Sequence, residues 1–377
     1  MAADKKVLPN HNTQARRFLE LVAVSGDFPS NQASRIFASE SYQESVITSL
    51  KKKRLLRTYY RDGLRGYRVT ARAKTLLLDD NAGRFEFYLT GDVDTNRLKS
   101  EFVRRLRLHR IAETYVTMQN AGVAVFQDEK PDVFYPADFS DEENHQTILA
   151  PAFYNSREIK EVGTEFVKVQ GARAVGTLLT YDKVFIVYNT DNGLLKWGFK
   201  SEMRTKALMK TLLCQERMPE QYCPEDIQGL VFGSDMEIAF ALLSSTGGIK
   251  HNYFMLDGNY DTFHFLTSDR RGEVLLKLLC DMEKADALNR ALSQNFSEHD
   301  AGLIIENDAI DENGDPVLFA YSFDMPRIKR FNSALQIHGR SGTLICFDFQ
   351  SDVLRSYCSE QVQIKTIDFL KFEKSFM

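Results

Sequence analysis

A stretch of 24 residues, from Lys51 to Lys74, carries ten Lys or Arg side chains and a single acidic one, Asp62. Up to Leu78 the chain holds fifteen basic and six acidic residues, whereas the other 299 residues carry a net charge of about −13. A concentrated basic surface attracts phosphates because bound phosphates release their counterions, and an acidic surface repels a duplex. We therefore expect a short DNA-binding module attached to a larger body with another role.

Length and composition set the class of protein. With 377 residues, 43% of them hydrophobic, the chain is expected to form two or three domains. Neither a secretory signal nor a run of eighteen apolar residues is present, so we expect a cytoplasmic protein without membrane contact. The cysteines are odd in number and form no C-x-x-C pair, which predicts buried free thiols at Cys214, Cys223, Cys280, Cys346 and Cys358.

Three helices are predicted at the amino-terminal end. Asn12 or Thr13 can cap the first, Ser30 a short second one, and Ser39 or Ser41 the third. On the third helix the apolar residues recur at helical spacing, which turns the polar and basic residues toward solvent. Short polar side chains near its start and lysines near its end suit a helix that lies in the major groove of DNA.

A hairpin is predicted directly after the third helix. Two short strands, 55–58 and 67–70, flank the segment 61–66, whose glycines permit a tight turn, and a closing helix follows at 71–78. Helix order, hairpin and charge together predict a winged helix-turn-helix domain over residues 1–80. The predicted DNA-binding residues are Tyr42, Gln43, Ser45, Thr48, Lys51 and Lys52 on the helix and Arg61, Arg65 and Arg68 on the wing. The alternatives are a solvated charge run and a winged helix that contacts only protein.

The rest of the chain predicts an α+β protein with a mixed α/β body. A linker over 81–94 leads to a long helix, 95–119, whose arginines extend the DNA-binding surface (Arg104, Arg105, Arg107 and Arg110). Candidate strands follow at 123–126, 133–135, 174–180, 184–189 and 195–199. We predict a central domain over 95–225 and a carboxy-terminal α/β domain over 226–377, with one long helix from Gly272 to Ser293.

Several segments resemble the replication-relaxation family of bacterial plasmids and conjugative elements. They are the winged-helix start, the helix Leu106-Arg107-Leu108-His109-Arg110-Ile111-Ala112-Glu113-Thr114-Tyr115-Val116, the Gly122 turn, and Pro131-Asp132-Val133-Phe134. The resemblance covers about the first 135 residues, and the segment 196–202 is similar to an aromatic, acid-ended strand of that family. It implies an accessory role in replication, relaxation or transfer of a mobile element through DNA binding. The expected partners are double-stranded DNA and replication or relaxosome proteins, and a homodimer is also expected.

Catalytic motifs give weaker signals than the basic run. The chain has no G-x-x-x-x-G-K-[ST] loop, no G-x-S-x-G elbow and no closely spaced histidine pair, so no cofactor and no metal are predicted. Asp132, Glu158 and Lys160 are the residue types found in a metal-dependent nuclease core, in which carboxylates hold Mg²⁺. The acid and the lysine of such a core lie on a buried strand, but residues 156–162 are typical of a capped helix start. We predict a non-catalytic, sequence-specific DNA-binding protein, and a nuclease-like body that cuts mobile-element DNA is the alternative.

Overall fold

A computed structural model describes residues 8–90, 101–134, 147–162, 172–248, 253–256, 258–297 and 304–376, without the side chains of 160–162. The chain divides into two compact units, Met1–Val133 and Phe134–Met377, which we call the first unit and the second unit. The predicted α+β class is confirmed, since both units combine helices with β-sheet. No helix in the described ranges has the length and apolar character needed to cross a membrane.

The first unit alternates helices with three short strands. Its elements are α1 (Gln14–Ser25), β1 (Phe28–Pro29), a 3₁₀ helix (Ser30–Arg35), α2 (Glu40–Lys52), β2 (Leu56–Arg61), β3 (Leu64–Val69), α3 (Ala71–Asp80), α4 (Ala82–Leu89), α5 (Phe102–Asn120) and a 3₁₀ turn (Gln127–Glu129). The strands form one antiparallel sheet in the order β1-β3-β2. Helices from before and after the hairpin, α1 and α5, both pack on this small sheet.

Hydroxyl side chains set where the first helices begin. Thr13, Ser39 and Thr70 each accept a hydrogen bond from the backbone N–H three residues further along, at the starts of α1, α2 and α3. These bonds satisfy donors that have no partner inside the helix. The hairpin turns at Asp62 and Gly63, whose φ angles of 53° and 79° fit the two-residue loop that Asp-Gly favours.

The core of the first unit is aromatic. Phe18 of α1 packs edge-on against Phe28 of β1 and Tyr67 of β3, with ring centroids 5.5 and 5.7 Å apart. Val46, Ile47 and Leu50 bury the inner face of α2, as predicted. Buried apolar area of this kind is the main stabilising contribution in a small domain.

Two predictions about the first unit are wrong. The sequence predicts a linker over 81–94, but residues 82–89 form helix α4, because Asn81 caps it and Phe85 and Tyr88 are buried. No strand forms at 123–126, and residues 133–134 form a turn. Helix α5 packs on α1 and β1, so the compact first unit continues to Val133.

The second unit contains two mixed sheets. Its first half holds β4 (Ala152–Asn155), α6 (Ser156–Val162), β5 (Gly176–Leu179), β6 (Val184–Asp191), α7 (Phe199–Thr211) with a π-helical extension (Leu212–Arg217), a 3₁₀ turn (Pro224–Asp226), β7 (Ile227–Gly233), α8 (Met236–Leu243) and β8 (Phe263–Thr267). Strands β4, β5 and β6 are antiparallel, whereas β6, β7 and β8 are parallel. The parallel order follows from α7 and α8, which carry the chain back across the sheet.

The second half of this unit returns to strands, as predicted. Its elements are α9 (Arg270–Leu279), α10 (Met282–Ser293), β9 (Ala309–Ile310), β10 (Pro316–Phe319), α11 (Met325–His338), β11 (Gly342–Phe347), a 3₁₀ turn (Asp348–Gln350), α12 (Ser351–Tyr357), β12 (Val362–Ile367) and α13 (Phe369–Phe376). The sheet order is β12-β11-β10-β9, in which β9 alone is antiparallel.

Some elements of the second unit differ from prediction. The helix expected over 272–293 is two helices, because Asp281 caps a new start and accepts from Lys284 N–H. The segment 195–199 is not a strand, and α7 begins at Phe199. The sequence predicts buried thiols, but Cys346 alone is fully buried; three are half-buried, and Cys223 is exposed.

Candidate nucleic-acid interface

Charge separates between the two units. Counted over the whole sequence, the first unit carries 23 basic and 16 acidic side chains, net +7, and the second carries 25 and 36, net −11. Nine of the ten basic residues between 51 and 74 reach the surface at least in part, and Arg68 does not. Exposed cations concentrate at the end of α2 and on the hairpin (Lys52, Lys53, Arg54, Arg57 and Arg65). None of these five forms an ion pair with an acidic side chain in the described ranges, so their charge is available to a polyanion.

Helix α2 presents a polar stripe to solvent. At 3.6 residues per turn, Ser41, Ser45, Thr48 and Lys52 lie nearly in line on the side opposite the buried residues of this helix, and all four are exposed. Hydroxyl groups and a lysine can donate to base edges, and a helix is narrow enough to enter the major groove. The stripe is therefore suited to contact bases directly.

The β2–β3 hairpin has two different faces. Arg57, Tyr59 and Arg61 lie on one side, opposite Arg68, Gly66 and Leu64 of β3. We call this side the anchored face, because its middle part packs on α5. The other side, the open face, carries Thr58 and Tyr60 opposite Tyr67 and Arg65.

The open face looks toward α2. Lys51 at the end of α2 places its ammonium 5.6 Å from the centre of the Tyr67 ring, and that ring lies beside Arg65 on the same face. Near the tip, Tyr60 and Arg65 extend past the core, and Tyr60 is 69% exposed. Lys51 therefore places the carboxy-terminal end of α2 beside the open face of the hairpin.

A buried ionic network holds the anchored face. Asp27, fully buried, accepts from Arg68 Nη2 and from Arg105 Nε of α5, both at 2.7 Å, and lies 3.3 Å from His109 Nε2. Both guanidiniums lie over the half-buried Tyr59 ring, with their central carbons 3.8 Å and 4.6 Å from its centre. The network therefore combines charge-assisted hydrogen bonds with cation–π contacts around a fully buried carboxylate.

Arg105 also fixes the tip of the hairpin. Its two terminal nitrogens donate to the carbonyl oxygens of Arg61 and Leu64, at 2.9 and 3.2 Å, on either side of the turn. No lysine could make these contacts, because they use the planar fork of the guanidinium. The position of the hairpin tip is thus set by a residue of α5.

The carboxylate of Asp27 is held in its charged form. Burial raises the pKa of Asp27, but hydrogen bonds from His109, Arg105 and Arg68 outweigh that effect, so the pKa lies below its ordinary value of 3.8. The backbone of β3 packs closely against the Asp27 carboxylate at Gly66. A Cβ added at Gly66 would lie 2.0 Å from Asp27 Oδ1, so this glycine is required by a close approach and not by the turn.

The predicted DNA-binding residues fall into three groups. Tyr42, Ser45, Thr48, Lys52 and Arg65 are exposed, and Gln43 and Lys51 are half-buried. Arg61 is exposed but lies 3.4 Å from Asp62, which offsets its charge. The predictions that Arg68 reaches phosphates and that Arg105 adds to a DNA surface are wrong, because both are buried on Asp27.

Two features of the hairpin and its buried support are absent from the sequence predictions. One is Tyr60, although strict alternation places its side chain on the opposite face of the hairpin from the half-buried Tyr59. The other is Asp27, which the sequence places only at the end of α1. Its partners lie 41 and 78 residues further along the chain, a separation that no local pattern reports.

The candidate nuclease residues are divided between the two units. Asp132 is exposed in the first unit, and Glu158 is buried in the second. The Glu158 carboxylate accepts from Asn155 N–H at 2.8 Å, while Asn155 Oδ1 accepts from Arg157 N–H, so the start of α6 is capped in both directions. Lys160 lies in α6, and its side chain is outside the described part. Among the described residues, no group of three or more His, Cys, Asp or Glu is placed to hold a metal ion.

Glu158→Ala is expected to lower the free energy of unfolding of the second unit by about 0.5 to 2 kcal/mol, because one capping bond at α6 is lost. Denaturation followed by the fluorescence of Trp197, the single tryptophan, measures it. Asp132→Ala, in the first unit, is the control and should leave this transition unchanged. A Glu158 variant with unaltered stability would contradict the capping role.

Comparison of the chain with protein-family models, with curated proteins and with solved structures gives no match. The resemblance to the replication-relaxation family therefore stays a prediction. The candidate interface rests on the geometry and charge of α2 and of the open face.

Proposed function

We propose that the first unit is a winged helix-turn-helix domain and that the protein is a sequence-specific, double-stranded DNA-binding protein without catalytic chemistry of its own. The order α1, β1, 3₁₀ helix, α2, β2, β3, with β3 central in the sheet, supports this assignment. In such domains the helix before the hairpin is the recognition helix, and the hairpin is the wing.

The observation that carries the proposal is the exposed stripe of α2 together with the cations beside it. Ser45 and Thr48 offer short polar groups to base edges, and Lys52 and Arg65 offer charge to the phosphates on either side. The acidic second unit, net −11, would repel a duplex and so favours contact through the first unit alone.

The biological setting is proposed from the sequence resemblance alone. We propose an accessory or regulatory role in replication, relaxation or transfer of a plasmid or conjugative element, in the cytoplasm. Partners would be replication or relaxosome proteins of that element, and a homodimer would read two half-sites of its DNA.

Selection of bound sequences from random duplex DNA tests the proposed function. We expect the full chain to enrich one motif, with an affinity that falls as salt rises. Failure to enrich any sequence, together with weak binding at low salt, would overturn the proposal. Incubation of the protein with supercoiled plasmid and Mg²⁺ tests the nuclease alternative in parallel, and nicking that purified variants of Asp132 and Glu158 lose would favour that alternative.

Thr48→Ala is expected to change the preference at one position of the selected motif, by about 1 to 3 kcal/mol, because Thr48 is exposed in the middle of the stripe. Competition binding with single-base variants of the motif measures this change. Thr75→Ala, an exposed threonine on α3, is the matched control. An equal loss of affinity for every sequence would show that Thr48 does not contact a base.

A further inference from the structure

Tyr60 is an aromatic side chain without a packing role. It is 69% exposed, next to Tyr59, whose ring contacts two guanidiniums on the anchored face. No ring and no cation in the described ranges stacks on Tyr60, so both faces of its ring are accessible. An exposed tyrosine on a basic hairpin can add apolar contact area to a site for an anionic ligand, because its ring is apolar and its hydroxyl stays solvated.

The partner must offer a flat face of its own. Tyr60 lies directly opposite Arg65, which is exposed and can bind a phosphate, so the pair combines stacking with charge. Nucleobases provide such faces, but in a continuous duplex each base is covered above and below by its neighbours. A ring on the wing can stack only where the base stack is interrupted, at a gap, a nick or a melted pair.

The wing is held in place before any DNA arrives. Arg105 fixes the carbonyl oxygens on both sides of the turn, and Asp27 fixes Arg105. A preorganised aromatic group loses little conformational freedom on binding, which increases the share of stacking that appears as affinity. The open face also lies on the side of Lys51 and α2, so a base bound there would adjoin the duplex held by the helix.

We propose that Tyr60 and Arg65 form a binding site for an unpaired nucleobase and its phosphate, so that the protein prefers duplex DNA whose base stack is interrupted beside the site read by α2. This inference rests on the proposed function, because α2 must hold the adjoining duplex. It adds a substrate class that duplex recognition alone does not require.

The experiment compares two probes that share the selected motif. One is a continuous duplex, and the other carries a one-nucleotide gap, whose position is moved stepwise through both flanks, with 2-aminopurine as the base next to the gap. The full-length protein is expected to bind the gapped probe about 5- to 150-fold more tightly at one position of the gap, the range that one base stacked on an aromatic ring provides. Quenching of 2-aminopurine at that same position is the expected spectroscopic sign of stacking.

Variants separate stacking from charge. Tyr60→Ala and Tyr60→Leu should abolish the preference, so that the two probes bind with equal affinity, whereas Tyr60→Phe should retain it. Arg65→Ala should weaken both probes and reduce the salt slope by about one. Tyr181→Ala, which removes a tyrosine that is 60% exposed in the second unit, is the matched control and should change neither probe.

Two results would overturn this inference and leave the proposed function standing. One is equal binding of both probes by the native protein at every gap position, and the other is a preference that survives in Tyr60→Leu. In either case binding of the continuous duplex would still support the proposed function. Loss of binding to both probes would contradict the proposed function and this inference together. Binding of the gapped probe alone would contradict the proposed duplex recognition but not the nucleobase site.

Discussion

Asp27→Asn is expected to lower the free energy of unfolding of the first unit by about 3 to 5 kcal/mol. The substitution keeps the shape of the side chain but removes the carboxylate that pairs with the buried guanidiniums of Arg68 and Arg105, and breaking a buried ion pair in this way costs about this much. Hydrogen exchange of amides in α1, α5 and the hairpin measures the loss. Trp197 in the second unit reports a separate transition, which should stay in place.

The effect of Asp27 should depend on pH in one direction. Its pKa is lowered in the folded protein, so its contribution is complete above the ordinary value of 3.8 and is lost as the pH falls from there through the folded value. The difference in stability between the native protein and Asp27→Asn should therefore be constant at neutral pH and shrink in acid. Asp79→Asn, an exposed acid of the same unit, is the control. A native-like Asp27→Asn variant would show that the network contributes no net stability.

Lys52→Glu combined with Arg65→Glu is expected to weaken duplex binding by more than about 30-fold near physiological salt, and to reduce the salt slope by at least about two. Both side chains are exposed and form no ion pair with described residues, so their reversal should leave the fold intact. Titration of labelled duplex at several salt concentrations measures both quantities. Lys51 is avoided here because its ammonium lies on the Tyr67 ring, and its loss would disturb the core as well.

A matched charge reversal in the second unit shows whether a loss of duplex affinity comes from local contacts or from the change in net charge. Lys277→Glu combined with Lys329→Glu changes the net charge equally, at two exposed positions of the second unit. Its effect on duplex affinity should be small, because charges remote from the phosphates are screened within about 8 Å at 0.15 M salt. Similar losses for the two double variants would mean that the basic surface of the first unit is not the DNA-binding site.

The amino-terminal elements could be predicted from sequence because their signals are local. Hydroxyl caps, helical spacing on α2 and the Asp-Gly turn each act within about four residues, and they agree with one another. The exposed stripe of α2 followed from the same periodicity. The α+β class followed from the alternation of strand and helix patterns.

The rest depends on contacts between distant residues. Arg68 and Arg105 look like exposed cations in any short window, and their burial becomes evident only when Asp27 is brought between them. Helix α4 could not be predicted because the polar sequence around Asn81 is typical of a linker, while the residues that bury Phe85 lie elsewhere in the chain. The break before α10 is equally hidden, because the apolar spacing continues across Asp281.

The role of Arg105 has a consequence for the biosynthesis of the protein. The hairpin is translated long before α5, yet the bonds that fix its tip come from a residue 41 positions after Leu64. A nascent chain that ends near residue 90 contains α2 and the hairpin but lacks Arg105, so the bonds that fix the hairpin tip cannot yet form. The hairpin tip therefore takes its final position only after the first turns of α5 have been made.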